Sequence, residues 1–430
     1  MNILILGGGG REHALAWSLA RDLDPDNDVL YVAPGNAGTI EHAENVRLPH
    51  SGPEVADFCR RAAVDLVVVG PEAPLAEGIV DHLHGAGIRV FGPSAAGARL
   101  ESSKLWAKAF MSRHGIPTAR FASFDGPGAA RAHVEEAWSP GGLVIKADGL
   151  AAGKGVVVAE TQEQAVGAIF SLMERKILGD AGATVLIEER LEGPECTVLA
   201  LTDGQAYRLL PPAQDHKALY DGGRGPNTGG MGAVCPTPVV GPDVFTAIER
   251  EIVAPTVSGL AAEGLPYRGV LYFGLILTAE GPRVLEFNCR FGDPEAQAVL
   301  PGIANLREVL LAVAEGRLAD VEVAHDGRVR VCVVAAAPGY PETPAEEDAI
   351  EGLEEAVVVE GVTVFHAGTH LCERRGFLTR GGRVLGVTAE GASLAEAQER
   401  AYKAMHRISF GNGGPHFRHD IGVPTLVGAL

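Results

Sequence analysis

Short apolar runs alternate with amphipathic segments along the first hundred residues. Four runs, NILIL, VLYVA, DLVVVG and IRVFG, are almost continuously apolar, and the segment from Arg11 to Arg21 has an amphipathic pattern. Buried strands that alternate with helices are typical of a parallel sheet covered on both faces. We therefore predict a doubly wound α/β unit. Ligands of such sheets bind at the carboxyl ends of the strands, where this chain has loops rich in glycine and proline.

Beyond about residue 101 the pattern changes to a helix followed by hairpins. The run ESSKLWAKAFMSRHGIP predicts a helix that ends near Gly115, a further helix is expected around residues 162–175, and apolar runs predict hairpins that turn at TDGQ and AEG. The segment DGGRGPNTGGMGAV reads as a long glycine-rich loop. After about residue 325, three strands precede a helix from about Ser393 to Ile408, which predicts a small α+β unit.

The length of the chain sets the expected number of domains. A chain of 430 residues corresponds to about three domains. We place them at residues 1–101, at 102–325 with a lid subdomain at about 118–190, and at 326–430. The expected fold class is thus a multidomain mixture of α/β and α+β units.

Composition excludes several classes of partner. The net charge is −19 and no basic run is present, so a nucleic-acid surface is not expected. The six cysteines are scattered without a CxxC pair, which favours a reducing compartment over a disulfide framework or a zinc site. No apolar run is long enough to span a bilayer, and the first residues lack the features of a signal peptide. We expect a cytoplasmic protein.

Two common nucleotide-binding motifs fail on their spacing. A GxGxxG motif that starts at Gly7 would need glycine at position 12, which is Glu12, and the second strand lacks the acidic residue that holds a ribose. A Walker A loop needs four residues between its glycines, whereas Gly149 and Gly153 enclose three. A single phosphate at the N-terminus of the helix that starts at Arg11 remains chemically sensible.

The stretch VIKADGLAAGKGVVVA reads as two strands joined by a loop of small residues between Lys146 and Lys154. Such a loop lets backbone N–H groups approach an anion, and the lysines supply positive charge. An ordinary glycine-rich hairpin explains the stretch equally well. If the loop holds phosphate, residues 148–155 are expected to form a mobile cover, because five of the eight are glycine or alanine.

The run VLEFNCRFGDPE contains candidate metal ligands. Glu286 and Asn288 are two apart on a predicted strand, so their side chains point to one face and offer hard oxygen ligands suited to Mg²⁺. Arg290 is in phase with them and is able to bind a carboxylate or a phosphate through two donors. The alternative is a solvated strand face with an ordinary ion pair.

Two further segments carry polar groups that indicate a binding or catalytic site less strongly. IEERLEGPEC places Glu188 and Glu189 at a strand edge, which offers backbone groups to a flat heterocycle, with Glu195 beyond the turn. QDHK places Asp215, His216 and Lys217 just before the glycine-rich loop. His216 is a candidate general base, although a lone histidine is more often structural.

The order of these motifs along the chain is more specific than any one of them. GGGGREHALAW, APGNAG, GPEAPLA, KADGLAAGKGV, QDHK, GPNTGGMGA and EFNCRFGDPE together resemble the phosphoribosylamine–glycine ligase family of ATP-grasp enzymes. The resemblance runs from residue 1 to the DIG at residues 420–422. Some positions depart from the usual pattern: Ala218 and Leu219 follow QDHK where an arginine is frequent, DGGRGPN replaces an acidic DGDxGPN, and the tail VPTLVGAL is unusual.

The resemblance implies a central ATP-grasp domain and an early step of purine biosynthesis. ATP, glycine and 5-phosphoribosylamine would become glycinamide ribonucleotide, ADP and phosphate through a glycyl phosphate intermediate, with Mg²⁺ or Mn²⁺ bound by Glu286 and Asn288. Lys104 and Lys146 would contact the ATP phosphates. Alternatives are another ATP-grasp ligase or carboxylase of the purine pathway and a nucleotide-binding module without catalysis. A monomer is expected.

The same resemblance assigns further roles by position. Implied ATP-binding residues are Lys104, Lys146, Gly149, Gly153, Lys154, Gly155, Glu188, Glu189, Leu191 and Glu195, of which Glu189 and Leu191 would present backbone groups to adenine and Glu195 would hold the ribose. Implied catalytic residues are Arg290, Asp215 and Lys217. Implied substrate-binding residues are Gly8, Gly9, Gly10, Arg11, Glu12, Asn36, Pro71, Glu72, Asn227, Thr228, Gly229, Gly230 and Asp293.

Overall fold

The computed structural model describes residues 1–49, 51–150, 155–411 and 413–423. The first part of the chain forms a parallel sheet in the order β3-β2-β1-β4-β5, as the alternating pattern predicts. Its strands are β1 (Asn2–Gly7), β2 (Val29–Pro34), β3 (Glu44–Asn45), β4 (Leu66–Val69) and β5 (Val90–Phe91). Its helices are α1 (Gly10–Ala20), α2 (Gly52–Arg61), α3 (Glu72–Ala76), α4 (Ile79–Gly85) and α5 (Ala95–Ser102).

The helix predicted from residue 101 is in fact two helices that meet at Ser103. Residues 101 and 102 end α5, and α6 spans Lys104–Arg113. Ser103 has extended backbone angles, and its Oγ accepts a hydrogen bond from the Trp106 N–H at 3.1 Å. A serine that caps a helix in this way starts a new helical axis. The break places Lys104 in the first turn of α6.

A small antiparallel sheet follows, in the order β6-β9-β7-β8. Its strands are β6 (Phe121–Phe124), β7 (Leu143–Ala147), β8 (Val156–Ala159) and β9 (Val185–Glu189). Its helices are α7 (Pro127–Ala137) and α8 (Gln162–Ile169), and α8 continues in π-helical form through Phe170–Glu174. These elements enclose their own apolar core, separate from the larger cores of the molecule. The pairing of Lys146 with Val156 confirms the predicted hairpin around the glycine loop.

Eight strands lie between residues 195 and 288: β10 (Glu195–Thr202), β11 (Tyr207–Leu209), β12 (Gln214–Asp215), β13 (Ala218–Tyr220), β14 (Arg224–Asn227), β15 (Gly232–Cys235), β16 (Gly269–Thr278) and β17 (Gly281–Asn288). An antiparallel sheet has the order β11-β10-β16-β17, which confirms the hairpins at TDGQ and AEG. The prediction of a glycine-rich loop is partly wrong, because β14 lies within that segment and pairs with β13 just before it, and β15 begins near its end. Helices of this region and the next are α9 (Pro242–Ile248), α10 (Ala254–Ala262), α11 (Glu295–Val299) and α12 (Leu306–Glu315).

The last part of the chain forms a sheet that includes strands from earlier in the sequence. The strands of this part of the chain are β18 (Val329–Ala336), β19 (Ile350–Glu351), β20 (Val362–His366), β21 (Thr369–Cys372), β22 (Gly376–Thr379), β23 (Arg383–Gly391) and β24 (Ser409–Phe410), and its helices are α13 (Leu353–Val357) and α14 (Leu394–Met405). The sheet order is β12-β15-β18-β23-β20, so two strands from the central part complete it. This pairing brings Asp215 next to the C-terminal elements.

Within the described ranges, no helix combines the length and the apolar character needed to cross a membrane.

Candidate active site

A cavity of about 330 Å³ lies where the three parts of the chain meet. Arg11 follows β1 and Glu72 follows β4, so both lie at the carboxyl edge of the parallel sheet. Residues named from the sequence that line this cavity are Arg11, Glu72, Lys104, Lys146, Gly155, Glu188, Asp215, Lys217, Thr228, Gly229, Glu286, Asn288, Arg290 and Asp293. The fold thus gathers residues from positions 11 to 293 around one space.

One wall of the cavity carries three lysines and a buried acid. Lys108 Nζ and Lys146 Nζ lie 2.9 and 3.1 Å from the same oxygen of Glu188, Oε2. The other oxygen, Glu188 Oε1, is buried and has no hydrogen-bond partner among the described residues. Burial lowers the pKa of Lys108 to about 8 even though the Glu188 charge raises it. This wall concentrates positive charge in a poorly solvated place, which suits the binding of an anion.

The glycine loop adjoins this wall. Lys104 Nζ donates to the carbonyl oxygen of Gly149 at 3.2 Å, and Gly155 lines the cavity at the start of the returning strand. A Cβ atom on Gly149 would lie 2.7 Å from Ala181 Cβ, so the backbone passes too close to Ala181 for a side chain. Gly153 and Lys154 lie outside the described residues, as does half of the predicted cover at residues 148–155, namely residues 151–154.

The predicted metal ligands Glu286 and Asn288 lie on one face of β17, opposite Gly274 and Tyr272 of β16. Burial acts to raise the pKa of Glu286, but the positive charges of Lys217, Lys146, Lys104 and Arg290 outweigh it and hold the pKa below its ordinary value. Glu286 is therefore an ionised carboxylate. No group of three or more His, Cys, Asp or Glu side chains suited to a metal occurs in the part of the chain that the structure describes.

This donor set fits a hard divalent cation that shares its coordination with other molecules. Mg²⁺ is commonly held by one or two carboxylates and completed by phosphate oxygens and water. Glu286 supplies an ionised oxygen and Asn288 a neutral one. The Asn288 amide is best oriented with its nitrogen donating to Glu101 Oε1 at 2.8 Å and to the Phe287 carbonyl at 3.3 Å. Glu101 then fixes the orientation of the amide.

Lys217 lies between two acids, Glu195 and Glu286, for which the sequence predicts different functions. Its Nζ lies 3.0 Å from Glu195 Oε2 and 3.8 Å from Glu286 Oε1. Burial would lower the pKa of Lys217, but the charges of Glu195 and Glu286 raise it well above its ordinary value. The lysine is charged at neutral pH and lies between the predicted ribose ligand and the predicted metal ligand.

A second acidic group lies on the other side of the cavity. Glu295 Oε1 accepts hydrogen bonds from Tyr272 Oη at 2.8 Å and from Thr197 Oγ1 at 3.0 Å. Asp215 Oδ1 is buried and has no partner within the described ranges. Burial, followed by the charge of Glu295, raises the pKa of Asp215 well above its ordinary value. Two acidic side chains in a poorly solvated place favour the binding of a cation.

Gly230 packs directly against this acidic group. It has φ of +110°, and a Cβ atom there would lie 2.5 Å from Asp215 Oδ1 and 2.4 Å from Pro294 Cδ. Only glycine allows the loop to pass this close. Thr228 Oγ1 donates to the Lys217 carbonyl at 2.8 Å, which ties the loop to the strand that carries Asp215. Asn227 ends β14 and is exposed, away from the cavity lining.

Arg290 is held by two carboxylates. Its Nη2 lies 2.9 Å from Glu101 Oε1, and its Nε lies 3.3 Å from Glu72 Oε2. Burial would lower the pKa of Arg290, but Glu101 and Glu72 raise it above its ordinary value. Pro71 precedes Glu72 as the cap of α3. Several of the guanidinium donors are therefore already paired.

The glycine turn at the start of α1 is occupied by protein carboxylates. The Gly9 N–H donates to Glu12 Oε2 at 2.6 Å, and the Arg11 N–H donates to Asp293 Oδ2 at 3.3 Å. Asn36 Nδ2 donates to the carbonyls of Gly8 at 3.1 Å and Gly9 at 3.3 Å, and so braces the turn. These interactions engage the N–H groups of Gly9 and Arg11 at the helix terminus where the sequence suggested a phosphate.

Glu189 ends β9, which lies between β6 and β7 in the small antiparallel sheet, and Leu191 lies two residues beyond the strand. The Glu189 N–H donates to the Arg120 carbonyl at 3.1 Å, and its carboxylate accepts from Arg120 Nε at 2.7 Å. The Glu189 N–H is therefore engaged. The Leu191 N–H makes no hydrogen bond within the described residues.

Five polar residues of the cavity were missed by sequence reasoning: Glu101, Lys108, Tyr272, Glu295 and Arg383. Two of them had a local signal, since Lys108 is four positions after Lys104 on one helical face and Glu295 ends the RFGDPE run. Arg383 had none. It comes from β23, donates to the Asp293 carbonyl at 2.6 Å, and also contacts the Gly229 carbonyl.

Three sequence models of one family match successive parts of the chain. The N domain of phosphoribosylglycinamide synthetase matches residues 1–101, its ATP-grasp (A) domain matches 102–296, and its C domain matches 330–424. The chain is similar to a phosphoribosylamine–glycine ligase of Ralstonia nicotianae, with 48% identity over 98% of this chain and 99% of that protein.

Two other proteins extend the comparison. A trifunctional purine biosynthetic protein, adenosine-3, of Gallus gallus is 49% identical over 99% of this chain, which spans only 42% of that longer protein. A crystal structure of a phosphoribosylamine–glycine ligase from Thermotoga maritima superposes with a TM-score of 0.83 at 33% identity, covering 98% of this chain and 100% of that one. From the three matched domains and these relatives, the chain belongs to the phosphoribosylglycinamide synthetase family of ATP-grasp enzymes.

Proposed function

We propose that this protein joins glycine to 5-phosphoribosylamine at the expense of ATP and forms glycinamide ribonucleotide, ADP and phosphate. The observation that carries the proposal is the meeting, in one cavity, of the Lys104–Lys146 wall, the ionised Glu286 and the acidic pair Asp215 and Glu295. An anion site, a cation site and an ammonium site side by side are what ATP and an amino acid require. Family membership supports the same assignment.

ATP would lie along the lysine wall. Lys104 and Lys146 would neutralise the phosphates, and the backbone of Gly149, Gly153 and Gly155, with Lys154, would cover them. Glu188 would act indirectly, because it is buried and holds Lys146 at 3.1 Å. At the other end, the Glu189 carbonyl and the Leu191 N–H would bind adenine, and Glu195 would accept from the ribose hydroxyls.

Glu286 and Asn288 would hold Mg²⁺ or Mn²⁺ together with phosphate oxygens. The cation, when bound, would offset charge on the phosphates during transfer. The protein itself positions the reactants and excludes water, which matters because phosphoryl transfer depends on alignment more than on covalent help. Lys217 lies near enough to Glu286 to compensate its charge before the cation binds.

Glycine would bind between the acidic pair and Arg290. Asp215 Oδ1 has no partner among the residues that the structure describes and would accept from the ammonium of glycine, with Glu295 contributing a second negative charge nearby. Arg290 would orient the glycine carboxylate with the donors that Glu101 and Glu72 leave free. The phosphoribosylamine would lie at the carboxyl edge of the parallel sheet. Residues proposed to contact it are Gly8, Gly9, Gly10, Arg11, Glu12, Asn36, Pro71, Glu72, Thr228, Gly229, Gly230 and Asp293, whereas Asn227 is exposed and lies away from the cavity.

The reaction would proceed in two displacements. A glycine carboxylate oxygen attacks the γ-phosphorus, the bond to the β-phosphate oxygen breaks, and ADP leaves with glycyl phosphate formed. The amine of phosphoribosylamine then attacks the acyl carbon, the carbon–oxygen bond to phosphate breaks, and the nitrogen releases one proton. Because an acyl phosphate hydrolyses readily in water, the reaction requires a closed cavity.

ADP release with purified protein tests the proposal. ADP should form only when ATP, glycine and freshly prepared phosphoribosylamine are all present. Bicarbonate with aminoimidazole ribonucleotide should give none, which would exclude the related carboxylase activity. Binding of ATP without turnover in any mixture would show a nucleotide-binding module. We also propose that a monomer acts in the cytoplasm, where ATP is supplied, since one chain provides the lysine wall, Glu286 and the acidic pair.

A further inference from the structure

The extended segment from Asp215, the last residue of β12, to Lys217 presents different residues to its two faces. Asp215 and Lys217 line the cavity, whereas the intervening His216 points away from it and is buried. This follows from the two-residue repeat of an extended chain. The backbone of His216 is fixed to the Gly-rich loop, since its N–H donates to the Gly232 carbonyl and its carbonyl accepts from the Met231 N–H, each at 2.9 Å.

The face turned away from the cavity is covered by residues 416–422, which we call the C-terminal clamp. His216 Nε2 accepts a hydrogen bond from the Gly422 N–H at 3.1 Å. Arg418, whose side chain is 2% exposed, donates from Nη1 to the Ala218 carbonyl at 3.2 Å. Asp420 accepts from Arg418 at 2.7 and 2.8 Å and from the Gly222 N–H at 2.7 Å.

The clamp is attached on its other side to the last long helix, α14. Tyr402 Oη donates to the Arg418 carbonyl at 2.9 Å and accepts from the Ile421 N–H at 2.9 Å. Gln398 Nε2 donates to the Ile421 carbonyl at 2.8 Å. The clamp therefore links a rigid helix to the back of the strand that lines the cavity, and none of its residues lines the cavity.

We propose that the C-terminal clamp positions Asp215 and Lys217 for the reaction and that Asp420 is the positioning residue on which the clamp depends. Asp420 joins the Arg418 guanidinium to the Gly222 backbone, so it connects both sides of the loop that follows Lys217. Displacement of a reacting group by about 1 Å is able to cost a factor of about 100 in rate. This proposal rests on the proposed function, because it assumes that Asp215 binds the ammonium of glycine.

Asp420→Asn tests the clamp with little change in size. The amide nitrogen would face the Arg418 guanidinium or the Gly222 N–H, so a donor would oppose a donor. We expect kcat/KM for glycine to fall about tenfold, while the Kd for ATP, measured by equilibrium dialysis, stays within twofold of the wild type. The lysine wall, which is proposed to hold the ATP phosphates, makes no contact with the clamp, and Lys217 acts on ATP only indirectly, through Glu195.

Asp326→Asn is the matched control. Asp326 forms a two-pronged ion pair with Arg330, whose side chain is 3% exposed and also lies in the C-terminal part of the chain. We expect this variant to lose a similar amount of thermal stability and to keep kcat/KM for glycine within twofold of the wild type. The control separates positioning from general stability.

Three results would overturn the clamp proposal: an unchanged kcat/KM for glycine in Asp420→Asn, an equal loss in Asp326→Asn, or a parallel weakening of ATP binding. If Asp420→Asn does not fold, Tyr402→Phe decides, because it removes only the hydroxyl that holds Arg418 and Ile421. A loss of at least threefold in kcat/KM for glycine, with unchanged ATP binding, supports the proposal, and no loss overturns it. Absence of glycine-dependent ADP release in the wild type would instead contradict the proposed function itself.

Discussion

Lys108 and Lys146 share a single carboxylate oxygen of Glu188, at 2.9 and 3.1 Å, inside the wall of the cavity. The Lys108 and Glu188 side chains are 3% and 2% exposed, so water does little to screen them. Glu188 thus sets the position of Lys146, the lysine proposed to contact ATP. Glu188 therefore supports phosphate binding indirectly, because it holds Lys146 in place, although its own negative charge would repel a phosphate.

Replacement of Lys108 by methionine should destabilise the protein through Glu188. Removal of one partner of a buried pair leaves an uncompensated charge and typically costs about 3–5 kcal/mol. Lys146 retains part of the compensation, so we expect the lower end of that range in urea unfolding. The double variant Lys108→Met/Glu188→Gln should recover much of the loss.

The exposed pair Arg113 and Glu263 is the control for this experiment. Arg113 is 46% exposed, and Arg113→Met should cost about 1 kcal/mol or less, as exposed pairs do. Additive losses in the Lys108 and Glu188 variants would contradict a buried coupling.

Glu286→Gln should abolish turnover with little effect on the fold. The amide keeps the shape of the side chain but loses the charge that a divalent cation needs, and the side chain is 38% exposed, so its stability contribution is small. We expect kcat to fall at least about 100-fold and the Tm to change by no more than a few degrees. Glu280→Gln, on the exposed turn of the same hairpin, should leave kcat unchanged. Ordinary activity of Glu286→Gln at the usual Mg²⁺ concentration would refute the metal assignment.

The route through glycyl phosphate is tested by isotope transfer. Glycine labelled with ¹⁸O in its carboxylate should deliver one labelled oxygen to the released phosphate, because that oxygen bridges carbon and phosphorus in the intermediate. Phosphate is collected after a complete turnover and examined by mass spectrometry. Unlabelled phosphate would exclude the intermediate, whatever the behaviour of variants. ATP labelled in the γ-phosphate serves as the control for exchange with water.

The affinity for glycine should rise with pH. Burial and the charge of Glu295 raise the pKa of Asp215 well above its ordinary value in the empty site, so protonated Asp215 persists to higher pH than an exposed aspartate would. A bound ammonium favours the ionised form. The KM for glycine should therefore fall as pH rises through the pKa of the free site and level off above it.

Steady-state kinetics between about pH 5.5 and 8 measures this dependence. Asp215→Asn should bind glycine weakly and lose the pH dependence, while the KM for ATP should vary little with pH. A KM for glycine that is independent of pH in the wild type would show that Asp215 does not bind the ammonium.

The amino-acid sequence determined the parallel sheet, the main hairpins and the shared face of Glu286 and Asn288, because each depends on periodicity within a few residues. It also determined the family, since the motifs occur in a distinctive order. The break at Ser103 was missed because the residues on both sides of it favour helix, and a side-chain cap decides the outcome.

Only the tertiary structure decided which distant groups meet. Nothing near Arg383 in the sequence indicates that it reaches Asp293, and nothing in QDHK indicates that β12 joins a sheet built mainly from residues beyond 325. The raised pKa of Asp215 and the lowered pKa of Glu286 likewise depend on neighbours far away in the chain. Local patterns act through the backbone over a few residues, whereas burial and Coulomb interactions depend on distance in space, which the folded chain alone fixes.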